Sequence, residues 1–191
     1  MAGTSASIVS LNPKIDVIGG RPAAGLVTLR PATPADLNFL RRWDQDPQLR
    51  VARGDDDWQW ESELRKNLPW REQLISELDG RAIGYLEIID PEQDVDKYWG
   101  CMDAGHRAID VWIGEPDARG RGYGSRMMRL AIERCFSNPS VHTILIDPLE
   151  TKTRAQRFYE RLGFEYVACR DFHGDRCLVY KLRRDGSRPA N

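Results

Sequence analysis

The sequence lacks the usual means of holding a metal. Its three histidines, His106, His142 and His173, are scattered, and its four cysteines, at 101, 135, 169 and 177, show no CxxC spacing. The ligand patterns of structural zinc sites are therefore missing, and the thiols read as reduced and structural. No apolar run approaches the roughly 20 residues that a membrane helix needs. The N-terminus carries no basic region followed by an apolar stretch, so no signal peptide is expected and the cytoplasm is the expected location. Net charge is only −1, without the basic excess that marks a nucleic-acid binder. There is no internal repeat and no GK[ST] ending of a P-loop.

What is present is enough for one ordinary domain. The chain has 191 residues, 41% hydrophobic and 30% charged, which suits a globular protein with a real core. The near-zero charge hides an asymmetry. Residues 31–115 hold 19 acidic and 10 basic side chains, whereas residues 116–191 hold 9 acidic and 15 basic. Such a split can set one half to attract a cation and the other an anion.

Residues 1–24 show no period and read as an arm. LVTLRP (Leu26–Pro31) alternates as a strand. TPADLNFLRRW reads as a helix, with Thr33 as N-cap, Pro34 in the first position and a stripe of Leu37, Leu40 and Trp43. WQWESELRKNL is a candidate short helix. REQLISELDGRAIGYLEIID is a hairpin about Asp79-Gly80. PEQDVDKYWGCMDAGH is a polar loop rich in acids and aromatics. RAIDVWIG (Arg107–Gly114) is a strand, and a helix follows from about Gly124 to Ser137 with Met127, Met128, Ala131 and Cys135 on one face. HTILIDP is a buried strand and TRAQRFYERLGF a helix closed by Gly163. EYVACRDFHGDRCLVYKL is a last hairpin. The predicted organisation is an arm (1–24), one α/β domain (25–183) with helices on both faces of a mixed sheet, and a tail (184–191).

The segment EPDARGRGYGSRMMRLAIERCF sets three glycines and three arginines in the eight residues from Arg119 to Arg126. A helix start leaves several backbone N–H groups unpaired and carries partial positive charge. Glycine lets such a backbone approach a ligand and take positive φ. Arg119-Gly120-Arg121-Gly122-Tyr123-Gly124-Ser125 is therefore a candidate phosphate-holding loop.

Arg119-x-x-Gly122-x-Gly124, between a strand and a helix, resembles the acetyl-CoA signature of the GNAT superfamily of N-acetyltransferases. RFYERLGF (Arg157–Phe164) resembles that family's second landmark, with Tyr159 lying 35 residues after Gly124. The resemblance covers roughly residues 26–182. It implies a single domain whose central, mostly antiparallel sheet splays in the middle. It further implies coenzyme pyrophosphate on the amides of Arg121 to Ser125 and pantetheine along Val111–Ile113. A backbone N–H near Ile113 would polarise the thioester, and Tyr159 would protonate the departing thiolate. Lys152 stands where relatives often carry Asn, which directs it towards a coenzyme phosphate.

The acceptor must be a neutral amine, so a carboxylate must take its proton. Asp110 is the leading candidate, since strand alternation sends it and Trp112 to the same face. Asp147, at the end of the neighbouring strand, is a second anchor, with Glu87 and Asp103 as further acids. GDDDWQWESE, including Asp57 and Trp58, offers acids and indoles to a cation. Two GNAT groups fit. The aminoglycoside 6′-N-acetyltransferases carry Asp where this chain has Asp110 and Asp147; the siderophore-biosynthesis acetyltransferases typically carry His in place of Asp110. Asp110 and the acidic first half favour a cationic amino sugar, acetylated by direct sequential transfer from acetyl-CoA without a metal. A hydroxylamino-lysine-type acceptor and a non-catalytic acetyl-CoA-binding module are the alternatives. The expected partner is a small cationic amine, not nucleic acid or membrane, and the expected state is monomer or homodimer.

Overall fold

The computed structural model describes residues 25–53 and 58–184. The expected arm at 1–24, Asp57 and the end of the expected tail lie outside the described residues. Arg184, assigned to that tail, is instead anchored: its guanidinium donates to the carbonyls of Phe136, Asn138 and Val141 and lies over the Phe136 ring.

Seven strands form one sheet in the order β1-β2-β3-β4-β5-β7-β6. They are β1 (Val27–Pro31), β2 (Arg71–Leu78), β3 (Arg81–Ile89), β4 (His106–Ile113), β5 (Thr143–Ile146), β6 (Glu165–Phe172) and β7 (Asp175–Arg183). All neighbours pair antiparallel except β4 and β5, which are parallel. The β2–β3 turn is the expected Asp79-Gly80, with both residues at positive φ, +50° and +82°.

The helices are α1 (Leu37–Asp44), α2 (Pro47–Arg53), α3 (Trp60–Glu63), α4 (Tyr123–Ser137) and α5 (Thr153–Arg161). Before α1, Thr33 forms a capping box with Asp36 around Pro34, so the N-cap is as expected although the first turn is a 3₁₀ helix. The short helix expected over WQWESELRKNL is only the single turn of α3. The C-terminus of α5 closes on Gly163 at φ +92°, with Phe164 N–H donating to Tyr159 O at 3.1 Å, as a Schellman motif requires.

Helices cover both faces because strand residues alternate. Leu86, Ile88, Ile109, Ile144 and Ile146 pack on one side with Met128 and Ala131 of α4 and partly buried Phe158 and Tyr159 of α5. Ile75, Tyr85 and Trp112 face the other way, against Leu40 and Trp43 of α1 and Trp60 of α3. Trp43 then lies flat on the chain after β4: a Cβ on Gly114 would stand 2.0 Å from its ring. Trp43 is 2% exposed and its indole N–H is tied to Glu115, so the ring has no room to retreat. Gly114→Ala therefore overpacks this contact and lowers stability by about 1–3 kcal/mol, read as a lower urea midpoint with unchanged slope.

Candidate active site

The site begins where the sheet comes apart. β3 pairs with β4 along Gly84–Ile89 to Ala108–Ile113, but β5 pairs with β4 only through His106, Arg107 and Ala108. Beyond Ala108 the second edge of β4 is open. Gly114 N–H donates to Ile83 O at 2.9 Å, across to the β3 side. Hydrogen-bonding direction alternates along an antiparallel strand, so the amides of Val111 and Ile113 face the opening. The Ile113 carbonyl on that edge accepts from Arg119 Nε at 3.0 Å.

Beside this opening starts α4. Gly122 caps it at φ +86° and Gly120 precedes it at +72°, with nothing within 4 Å of where a Cβ would lie on either. Among the described residues, no backbone carbonyl accepts from the amides of Arg121, Gly122 or Gly124, while Ser125 N–H reaches back to Gly122 O at 3.2 Å. An open, glycine-lined helix start next to an unpaired strand edge fits a diphosphate carrying a long, amide-containing arm.

Two residues of the loop do other work with their side chains. Arg119, expected at the coenzyme, turns inward, donating to the carbonyls of Ile113 and Gly114 and to Asp46 Oδ2 at 2.7 Å. Tyr123 is 6% exposed in a core cluster with Val27, Ile83 and Met127. Arginine's five donors match strand-end carbonyls as readily as phosphates, and the first helical turn faces the sheet as well as the ligand. Lys152 forms the N-cap of α5.

On the face of the sheet bearing Tyr85 and Trp112 lies an acidic recess of about 430 Å³. Asp110, paired in register with Glu87, and Asp147, just past β5, both line it. Asp110 keeps solvent access, whereas Glu87 is 3% exposed. Glu87 accepts from the Tyr85 hydroxyl at 3.1 Å and lies 3.4 Å from Arg71 Nε. Burial pushes its carboxyl up to about 7, against the pull of Arg71. Burial also raises Asp110, to about 6, and Asp147, to about 7, with the Asp110 charge adding to the rise at Asp147. Two such carboxyls titrate as a pair, so the recess holds a proton acceptor poised near neutrality.

Tyr159 approaches from the opposite face, packed with Phe158 and Phe164 at ring distances of 5.1 and 5.9 Å. Burial, then the charges of Asp110 and Asp147, raise its hydroxyl well above the ordinary tyrosine value. It keeps its proton at any physiological pH and can act as a donor. The acids and this phenol thus flank the sheet opening from its two sides.

Other expected residues fall elsewhere. Asp103 does not line the recess; it sits before β4, where its carbonyl contacts His106 Nδ1 at 3.0 Å. Trp112 is 8% exposed, stacked on Tyr85 at 4.6 Å and edge-on to Trp58 at 5.0 Å, so it supports the wall rather than lining the recess. Trp58 is half-buried in the same ring cluster and lines an adjoining groove with Trp70 and Arg71.

Sequence reasoning missed Arg71, Trp70 and Tyr98, which all line the recess. Tyr98 and Trp99 stood in the stretch marked by mixed acids and aromatics, but nothing local showed which ring turned inward. Among the described residues there is no group of three or more His, Cys, Asp or Glu side chains able to hold a metal, and no helix is long and apolar enough to cross a membrane.

Comparison with known proteins agrees with this geometry. Residues 32–172 match the model of the acetyltransferase (GNAT) domain. Aminoglycoside N(6′)-acetyltransferase type 1 of Klebsiella pneumoniae is 30% identical over 154 residues, 73% of this chain and 74% of the relative. The protein of the same name from Serratia marcescens gives the same figures. Aminoglycoside acetyltransferase AAC(6′)-Ib, solved in complex with coenzyme A and kanamycin, superposes with a TM-score of 0.75 at 26% identity, covering 84% of this chain and 96% of that one.

Proposed function

The chain belongs to the GNAT family of acetyltransferases, and on that premise we propose that it transfers an acetyl group from acetyl-CoA directly to an amine of an aminoglycoside, the 6′-amine in kanamycin-type sugars, in the cytoplasm. The observation that carries this reading is that Asp110 and Asp147 line one recess beside the sheet opening, in a chain 30% identical to aminoglycoside N(6′)-acetyltransferases over 154 residues. A recess with raised carboxyls suits a cationic acceptor: it attracts the ammonium and then takes its proton.

Acetyl-CoA, when bound, supplies the acetyl thioester. The amides of Arg121, Gly122 and Gly124 hold its diphosphate, and the open amides of Val111 and Ile113 hold its arm along β4. One of those amides polarises the thioester carbonyl, as donors aimed at a developing oxyanion do. Asp110 removes a proton from the acceptor ammonium, and Asp147 anchors the positive charge that remains on the sugar. As the C–N bond forms and the C–S bond breaks, Tyr159 gives the proton on its phenol oxygen to the departing sulfur and is restored by the second proton that the nitrogen sheds on becoming an amide. Because the two sides of the opening carry the two kinds of group, the amine and the thioester meet between them without exchanging places. Direct transfer needs no more.

The test is a thiol-release assay with acetyl-CoA against a kanamycin-type sugar, a hydroxylamino-lysine and a short peptide. Turnover is expected with the sugar. Its kcat/KM falls as pH drops through about 7 to 6, because protonation of the pair at Asp110 and Asp147 removes the base. Turnover with the hydroxylamine alone overturns the aminoglycoside assignment, and a rate flat between pH 5 and 8 overturns the role of the acidic pair.

A further inference from the structure

The two carboxylates of the recess are not equivalent in their surroundings. The Tyr98 hydroxyl donates to Asp147 Oδ2 at 2.6 Å. Among the described residues, nothing donates to the Asp110 carboxylate. Tyr98 is held as if for that contact. It lies in the loop between β3 and β4, whose buried acids tie the loop to β4 and to itself. Asp90 is 6% exposed and pairs with Arg107 at 2.9 Å, and Asp94 is 5% exposed and accepts from Tyr98 N–H at 3.1 Å. The Tyr98 ring then stacks on Phe172, centroids 4.6 Å apart and planes 8° apart, and on His173 at 5.7 Å. Backbone, ring and hydroxyl are thus each fixed by a separate partner.

We propose that Tyr98 is a positioning residue of the recess: its hydroxyl holds Asp147 Oδ2 and so aims that carboxylate at the substrate cation, beside Asp110 as the proton acceptor. A donor on a carboxylate stabilises the charged form, so the Tyr98 hydroxyl offsets part of the rise that burial and the Asp110 charge impose on Asp147. In the step itself an N–H bond of the ammonium breaks and an O–H bond forms on Asp110. The neutral amine keeps the electron pair, and Asp147 remains an anion. The charged and titratable groups facing Asp147 are Asp110 on β4, Glu87 and its partner Arg71 on β3 and β2, and Asp94 and Asp96 on the β3–β4 loop. His173 at the β6–β7 turn, Cys177 on β7 and Tyr159 on α5 complete the set. Arg71 is committed to Glu87 and Glu63, so Tyr98 provides the donor specific to Asp147.

The inference deepens the proposed amine acetylation, but its first test needs no acceptor. Tyr98→Phe removes the hydroxyl and keeps the stacked ring. In full-length protein with carboxyl-labelled aspartate, assigned with Asp147→Asn, the Asp147 titration midpoint is expected to rise by about one pH unit, a tenfold change in proton affinity. An unmoved Asp147 midpoint, or a shift confined to Asp110, overturns the proposal. In kinetics the acid limb of kcat/KM moves to higher pH and KM for the sugar rises about tenfold, while KM for acetyl-CoA holds. If the parent protein acetylates no amino sugar, the functional reading fails and the carboxyl titration still decides the role of Tyr98. Should Tyr98→Phe fold poorly, Tyr98→Leu, which carries no donor and keeps an apolar contact for Phe172, must raise the Asp147 midpoint likewise; an unmoved midpoint there overturns the proposal.

Discussion

Asp110→Asn is expected to lower kcat/KM for a kanamycin-type sugar by about 10²–10⁴-fold while leaving acetyl-CoA affinity within a factor of two of the parent. The change is nearly isosteric, and among the described residues nothing donates to the carboxylate, so no hydrogen bond to them is broken. What is lost is the ability to take a proton and half the negative charge of the pair with Asp147. The coenzyme elements are untouched, since the glycine loop and the amides of Val111 and Ile113 are backbone features. Loss of folding is a poor alternative account of such a result. The folded-state value of Asp110, about 6, lies above that of an unfolded chain, about 3.9. Its stabilising contribution is therefore complete only below the unfolded value and is lost as pH rises through the folded one. At pH 8 the parent bears the cost of a charge partly desolvated beside Asp147 and Asp110→Asn does not, so the variant should melt no lower than the parent there. Aminoglycoside acetylation within threefold of the parent would remove Asp110 as the base.

Tyr159→Phe is expected to lower kcat by roughly 10–10³-fold with little change in KM for either substrate. The ring packs against Phe158 and Phe164, and phenylalanine keeps that packing. Only the hydroxyl goes, and its value lies in the proton it retains near the acidic pair. A thiolate leaving without a donor carries its full charge into a site that already holds a negative carboxylate, so the missing proton is felt in the transition state rather than in binding. Single-turnover measurements isolate the step. An unchanged rate there would take Tyr159 out of proton transfer and leave it a packing residue.

Much of the fold was legible because its signals are local. Asp79-Gly80 makes its hairpin through backbone conformations that these two residues tolerate. Gly163 closes α5 for the same reason. The seven strands stand in the expected order, and the GNAT resemblance carried by Arg119-x-x-Gly122-x-Gly124 and RFYERLGF led to the right family. Asp110, Asp147 and Glu87 line one recess. Some side-chain placements were not legible, for a common physical reason. A motif records residue type and backbone position, whereas the Arg119 guanidinium is claimed by Asp46 and the Tyr123 ring by Val27 and Ile83, all distant in sequence. Trp112 has the same strand parity as Asp110, yet Tyr85 and Trp58 cover it.

The sequence by itself determined the elements, the family, the glycine-opened start of α4 and which strand residues share a face, because these follow from backbone propensity and from periods of 2 and 3.6. Only the tertiary structure decided that β5 leaves β4 after Ala108, that Tyr159 faces the acids across that opening, and that Tyr98 reaches Asp147 across 49 positions of chain. Those placements depend on where one element ends against another, and that is set by packing between residues that no local period connects.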